Sequence, residues 1–476
     1  AFNDLKAAGV ECFVQGNMND YQLIVLGAGP GGYIAALRAA KLGLRTAVVE
    51  NREVGGTCLN RGCIPTKTLL HSSGLYHEML NSQYAAVTVT DAAIDLPLLK
   101  QRKEEISQKL SAGIVSMFKS AKVDLIAGTG KVISSDTVEI TTDDGCRRCT
   151  ADNILVATGS VPARPPIPGL ELPGVMTSDE LLENCDQPFR SMIIIGGGVI
   201  GVEFATFYTD LGCDVTIIEG LDRLLPNMDR EIGQNLTQIL KKRGAKIYTK
   251  AMVEGVKKGE DGLTVHFSAK GASEAVSGQA VLCAIGRRPN LENVFDSQLT
   301  PELDGRRLKV DDHYQTSIPH VYAIGDVSSP VQLAHVASAQ GTACVEMLCG
   351  HAPSVDVSIV PGCVYCRPEI AVVGITEQEG KDLGLPIKAA KTVMFSNART
   401  MIDNSDRSFI KLVARTDNHQ LVGAQLMCQR STDMISQLSQ AIANHLTVEQ
   451  LLGAMRPHPT FEEALHDCLE TLKDSL

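Results

Sequence analysis

The residues here whose type and spacing best suit chemistry are Cys58 and Cys63, set in GGTCLNRGCIPTK at 55–67. Neighbouring thiols exchange with disulfides through the thiolate form. Residues five apart in a regular helix rise about 7.5 Å, whereas a disulfide needs Cα atoms roughly 4.4–6.8 Å apart. A bridge between them therefore requires an irregular turn, which Gly62 can supply. Ile64-Pro65-Thr66-Lys67 reads as a helix start. A Cys63 thiolate would thus sit where exposed N–H groups and the helix dipole lower a thiol pKa. The spacing favours a redox-active pair, with two unbridged buried thiols as the alternative.

A second candidate lies near the far end, in MRPHPTFEEALHDCLE at 455–470. Pro457 and Pro459 restrict the backbone around His458. Thr460 reads as an N-cap with Glu463 three residues on, the spacing of a capping box. Glu463 could instead reach back to His458, fix its tautomer and raise its basicity, as in a nucleophile–base–orienter arrangement. Both readings stand on the sequence.

Two segments can position such groups against a dinucleotide. LIVLGAGPGGYIAALRAAKLGLRTAVVE at 23–50 reads as buried strand, glycine turn, amphipathic helix and second strand. Gly27, Gly29 and Gly32 supply the tight turn, the close approach of a pyrophosphate and the close helix–strand packing. Glu50 follows 23 residues after Gly27, where a carboxylate can accept ribose hydroxyls. The pattern recurs at 192–219 with Gly196, Gly198, Gly201 and Glu219. One GxGxxG is weak; two with matching acids imply two Rossmann-like units, each holding a dinucleotide. Glu219 binds a free 2′-hydroxyl and repels a 2′-phosphate, which favours NAD over NADP, although Arg223 could offset part of that repulsion. ATGS (157–160), AIGRRPN (284–290) and YAIGDV (322–327) read as strand ends beside a ligand, with Asp326 suited to a sugar or polyol hydroxyl.

The 476 residues suggest about three domains. A net charge of −11 argues against nucleic acid or anionic membrane as partner. No apolar run reaches the roughly 18 residues that span a bilayer. Residues 1–20 carry Asp4, Lys6, Glu11 and Asp20, unlike a secretory or transit signal. Fourteen cysteines in this length fit a reducing cytoplasm, where a disulfide is catalytic. Past residue 350 the texture changes: 365–374 and 409–427 suggest antiparallel strands, and helical periodicity follows over 433–452.

With these motifs assembled, the chain resembles the pyridine nucleotide–disulfide oxidoreductases over 21–475, and among them the dihydrolipoamide dehydrogenases most closely. The resemblance implies an α/β fold with two Rossmann-like domains and a C-terminal α+β dimerisation domain. The boundaries would be 18–153 for FAD, 154–282 for NAD, 283–350 for a central domain and 351–476 for the interface. It implies that Gly27, Gly29, Gly32 and Glu50 hold the FAD adenosine diphosphate and Asp326 its ribityl side. Thr57, Gly159 and Ala334 would add to the cofactor contacts, as would Gly286 beside Gly196, Gly198, Gly201 and Glu219. Cys58 would be the interchange thiol and Cys63 the thiol against the flavin. Lys67 would sit near flavin N5, paired with Glu203 beside the nicotinamide. His458, oriented by Glu463, would be the base in the partner subunit's site, making a homodimer obligatory. The partner substrate would be a lipoyl-bearing protein of a 2-oxo acid dehydrogenase or glycine cleavage complex. The other readings are a related reductase of a small disulfide and a low-turnover flavin redox sensor or scaffold.

Some stretches depart from the family. Its Tyr-Thr-x-Pro-Glu segment reads Tyr365-Cys366-Arg367-Pro368-Glu369, making a CxxC with Cys363, and Cys146/Cys149 form a second. The two pairs lie too far apart in sequence to suggest one zinc site, and the reading is no metal. Met427-Cys428-Gln429-Arg430 replaces a commoner Gly-Pro turn. Residues 1–17 match nothing in the family, and Met18 is a candidate start.

Overall fold

A computed structural model describes residues 19–260, 262–405 and 407–476. The stretch 1–17 and the candidate start at Met18 lie outside the described residues. The chain divides into two compact units. One comprises residues up to 65, 102–161 and 287–357; the other comprises 66–101, 162–286 and 358–476.

In the first unit a parallel sheet runs in the order Asp124–Ala127, Thr46–Glu50, Tyr21–Leu26, Gly145–Val156, Val321–Ala323. Leu23, Ile24 and Val25 are fully buried, as a strand covered on both faces requires. The first half of Gly145–Val156 belongs to an antiparallel meander with Thr137–Thr142 and Thr129–Val132. Helix Pro30–Lys41 starts on Pro30, a residue suited to a first helical turn. Its buried face is Gly31, Gly32, Ala35, Ala36 and Ala39. Such small residues let helix Ala334–Leu348 approach closely: a Cβ on Gly341 would stand 2.6 Å from the Gly31 carbonyl.

The second unit repeats the plan. Its parallel sheet runs Lys246–Thr249, Asp214–Glu219, Ser191–Ile195, Ala280–Cys283, Val175–Met176. An antiparallel meander follows over 251–278. The same unit holds an antiparallel five-stranded sheet, ordered Gly362–Val364, Ile370–Gly374, Leu421–Met427, Phe409–Arg415, Ile387–Val393. Helix Glu463–Ser475 covers it with Ala464, Leu465, Cys468, Leu469 and Leu472, an i, i+1, i+4, i+5, i+8 stripe. The periodic stretch 433–452 is two helices, Ser431–Ala443 and Val448–Leu452. His445 takes φ 54° between them, and the Thr447/Gln450 capping box opens the second. Periodicity ran through the break because Val448 returns to the buried side.

Candidate active site

In the first unit the glycine turn closes as its sequence requires. Gly27 has φ 102°, and a Cβ there would lie 2.5 Å from the Ala157 carbonyl oxygen. A Cβ on Gly32 would lie 1.9 Å from the Gly27 carbonyl oxygen. Gly29 differs: it precedes helix Pro30–Lys41, and its missing Cβ faces only Gly56 Cα at 3.9 Å. Internal packing explains the outer two glycines. The middle one leaves room for something outside the chain at a helix N-terminus, which fits a pyrophosphate. Glu50 accepts the Ala28 N–H at 2.7 Å and the Arg52 N–H at 2.8 Å.

The second unit reproduces this almost atom for atom. Gly196 has φ 109° with the Ala284 carbonyl oxygen 2.4 Å from a would-be Cβ, Gly201 is blocked by Gly196, and Gly198 faces open space. Glu219, 8% exposed, accepts N–H groups of Gly197 at 2.5 Å and Leu221 at 2.7 Å. Each carboxylate oxygen keeps a second lone pair for a ribose hydroxyl. The Arg223 guanidinium is engaged by Asp222 at 2.9 Å and the Pro226 carbonyl at 2.8 Å.

The short glycine signatures stand at strand ends. Gly159 (φ 68°) follows Gly145–Val156, Gly286 (φ 111°) follows Ala280–Cys283, and Asp326 lies in a 3₁₀ turn after Val321–Ala323. Ser160 donates to Asp326 at 2.5 Å, and Arg287 donates to Ser160 at 2.8 Å. Burial raises the Asp326 pKa against the pull of these two. A desolvated carboxylate beside a strand end is suited to accept a polyol hydroxyl. Ala334 opens helix Ala334–Leu348.

Cys58 and Cys63 are both half-buried. Cys58, with Thr57, lies in a short helix, Gly56–Arg61, and Cys63 is the first residue of helix Cys63–Leu80. Gly62 stands between them at φ −148°, ψ −111°. The irregularity is thus a break between two helices; a Cβ on Gly62 would lie 2.9 Å from the Thr57 carbonyl oxygen.

Lys67, one turn after Cys63, meets Glu203 at 2.9 and 2.7 Å. Glu203 is 3% exposed on helix Val199–Asp210. Its Oε1 also accepts the Tyr365 N–H at 3.0 Å, and the Lys67 ammonium lies 4.8 Å from the Tyr365 ring centroid. Burial pushes the Tyr365 phenol up to about 12. No spacing pattern marks Tyr365's part, because a backbone N–H and a ring face leave no such signature.

His458 Nδ1 lies 2.7 Å from Glu463 Oε1, and the Thr460 N–H donates to Glu463 Oε2 at 2.9 Å. The His458 side chain is 73% exposed. The bond to His458, then the Thr460 N–H, holds Glu463 below the usual carboxylate range. Glu463 thus makes both contacts that the sequence left open. Thr460 is not an N-cap, however: its hydroxyl donates to the Pro457 carbonyl at 2.8 Å, and the helix begins at Glu463. Asn397, unmarked by any motif, donates to the Thr460 carbonyl at 3.0 Å while accepting the Thr400 N–H.

Cys146 is exposed and Cys149 buried on one strand, three residues apart and so on opposite faces. Burial raises the Cys366 thiol and pushes Cys363 up to about 11. Among the described residues no cluster of three or more His, Cys, Asp or Glu could hold a metal ion, and no helix is long and apolar enough to cross a membrane.

Residues 21–341 match the family described as pyridine nucleotide-disulphide oxidoreductase, and 360–468 match its dimerisation domain. A dihydrolipoyl dehydrogenase of Geobacillus stearothermophilus is 34% identical over 94% of this chain and 95% of its own length. One from Bacillus subtilis (strain 168) is 36% identical over 94% and 96%. Among solved structures, LpdA from Mycobacterium tuberculosis superposes with a TM-score of 0.87 at 27% identity, covering 94% of this chain and 99% of that one. The Cu(II) complex of the HOCl-induced flavoprotein disulfide reductase RclA from Escherichia coli gives 0.84 at 28%, covering 96% and 100%.

Proposed function

Since the chain belongs to the pyridine nucleotide–disulphide oxidoreductase family, whose cofactors are FAD and a pyridine nucleotide, we propose that it oxidises a protein-bound dihydrolipoyl group and reduces NAD. The observation that carries this reading is the His458–Glu463 contact, 2.7 Å long, in a chain that also retains Cys58 and Cys63. A dithiol needs a base near neutral pKa to become the attacking thiolate. A carboxylate on Nδ1 leaves Nε2 as the basic nitrogen.

His458 Nε2 takes the proton of one substrate thiol, and the thiolate attacks Cys58 Sγ, displacing Cys63 as a thiolate. The second substrate thiol then closes the substrate disulfide and releases Cys58, its proton passing to the departing Cys58 sulfur while His458 keeps the first. The substrate loses two electrons and the cysteine pair gains them. FAD, when bound, supplies the two-electron relay between that pair and the nicotinamide. Gly29 and Gly198 leave room for the two pyrophosphates, while Glu50 and Glu219 take ribose hydroxyls and Asp326 a ribityl hydroxyl. Lys67 and Glu203 would present their paired charge to the bound flavin and nicotinamide. The dimerisation domain supports a homodimer, in which the exposed His458 serves the partner's cysteine pair.

Similarity to RclA favours a second reading, reduction of a small disulfide at the same cysteines. Anaerobic stopped-flow mixing with dihydrolipoamide and then NAD separates the two. A long-wavelength charge-transfer band followed by NADH supports the proposal, Cys63→Ser should abolish the band, and His458→Ala should slow reduction by dithiol at least about a hundredfold while sparing reduction by NADH. Equal slowing of both half-reactions would remove His458 from the role of base. No reaction with dihydrolipoamide, with turnover of a small disulfide, would favour the second reading.

A further inference from the structure

Two polar contacts, two helical turns apart, join the same three pieces of chain. At the first, Lys67 of helix Cys63–Leu80, Glu203 of helix Val199–Asp210 and Tyr365 meet as described above. At the second, Asp210 stands seven residues after Glu203, on the same face of its helix and about 10.5 Å along it. Its carboxylate is fully buried and meets the Arg367 guanidinium in a short ion pair. Ser73 of helix Cys63–Leu80 donates to it at 2.9 Å, Arg243 lies 3.5 Å away and His77 3.6 Å.

Helix Cys63–Leu80 makes room for this arrangement. Gly74 lies seven residues after Lys67, and a Cβ there would stand 2.0 Å from Arg367 Nη1. Glycine inside a helix is unfavourable relative to alanine. Here the bare backbone is what admits the guanidinium.

The loop 365–367 therefore carries two groups with one consequence. The Tyr365 N–H fixes the Glu203 carboxylate, and that donor belongs to the backbone. Its position depends on how the loop is held, and two residues on, Arg367 is held on Asp210. We infer that Arg367, anchored on Asp210, is a positioning residue for hydride transfer, keeping the Tyr365 N–H on Glu203 and so Glu203 aligned on Lys67. This rests on the role proposed above for the Lys67–Glu203 pair. Without Arg367 the loop loses this tether, while Asp210 keeps Ser73, Arg243 and His77.

The test uses the FAD-loaded protein with Arg367→Ala, Arg367→Lys, Glu203→Gln and the Arg367→Ala/Glu203→Gln double variant. Amide hydrogen exchange at Tyr365 and the stopped-flow rate of flavin reduction by NADH are both read. Arg367→Ala should speed exchange at Tyr365 and slow NADH-driven reduction about tenfold, the scale of a sub-ångström misplacement, with Arg367→Lys recovering most of both. In the Glu203→Gln background the Arg367→Ala loss should vanish, because both act through one carboxylate. Should Arg367→Ala not fold, Asp210→Asn releases the same tether from the other end and must show the same pair of changes. Faster exchange with an unchanged NADH rate overturns the inference, as does a full tenfold loss on top of Glu203→Gln. If Glu203→Gln itself reacts at the parent rate, the role of the pair fails and the inference with it.

Discussion

At the scale of single residues, the two acids Glu50 and Glu219 do their work before any nucleotide arrives. Each carboxylate holds the N–H of the residue after the first glycine and the N–H two residues past itself. The acid therefore sets the shape of the turn, apart from the ribose contact proposed for it. For Glu219 this matters to nucleotide choice, because its charge is desolvated and Arg223 is turned to Asp222 and the Pro226 carbonyl. Glu219→Gln keeps an oxygen acceptor for the turn and removes the charge that repels a 2′-phosphate. The ratio of kcat/KM for NAD over NADP should fall at least about tenfold, about 1.4 kcal/mol of a screened charge–charge repulsion. An unchanged ratio in steady-state assays would mean that something other than Glu219 selects the nucleotide. What was legible in sequence at this scale was whatever recurs at fixed spacing: both glycine turns, both acids and the cysteine pair. The contacts of Tyr365, Asn397 and Asp210 were not, since they join residues 63 to 162 positions apart through backbone groups or buried ion pairs.

At the scale of elements, the C-terminal antiparallel sheet is tied within its unit to helix Arg230–Lys242 by a lysine. Lys411, 9% exposed on strand Phe409–Arg415, meets Asp229 at 3.0 Å, Glu231 at 3.3 Å and Glu377 at 3.4 Å. Lys391 reaches Glu231 as well. Burial opposes the lysine charge, but hydrogen bonding to Asp229 wins and raises its pKa. Glu231 is lowered by Lys391 and Lys411 against burial, and Glu377 by Lys381 first. The depressed carboxylates contribute stability that is present above their unfolded pKa and is lost as pH falls through the folded one. The raised lysine's share persists below the lysine's unfolded pKa and is lost only in strong alkali. Lys411→Met should therefore lower stability by about 3–5 kcal/mol at pH 7, where the carboxylates are left charged. The gap to the parent should narrow towards pH 4 as they take up protons. Thermal unfolding across that range decides it, and a gap constant with pH would mean that the lysine acts by packing alone. Sequence pattern showed these strands as apolar runs. It did not show the lysine as buried, because its compensating acids lie on other elements. The same limit explains Thr460 and the break after Ala443, where local spacing suggested an N-cap and helical periodicity without a break, and tertiary contacts settled otherwise.

At the scale of the whole molecule, the exposed His458 is the feature that a single chain leaves unexplained. A side chain with 73% of its surface in solvent serves poorly as the base proposed above unless a second copy covers it. The dimerisation domain at 360–468 contains both His458 and the loop bearing Asn397. If each site takes its cysteines from one subunit and its histidine from the other, two dead variants can rescue each other. In a hybrid of His458→Ala and Cys63→Ser, one site carries both lesions and the other carries neither. Co-expression giving random dimers should restore roughly a quarter of parent activity, half the dimers being hybrid with one working site of two. Each variant expressed alone stays inactive. Tagging the two chains differently and isolating the hybrid should raise the recovered activity to about half of the parent's per dimer. Purified hybrids with no activity would place each histidine beside its own subunit's cysteines, and the exposure of His458 would then need another cause.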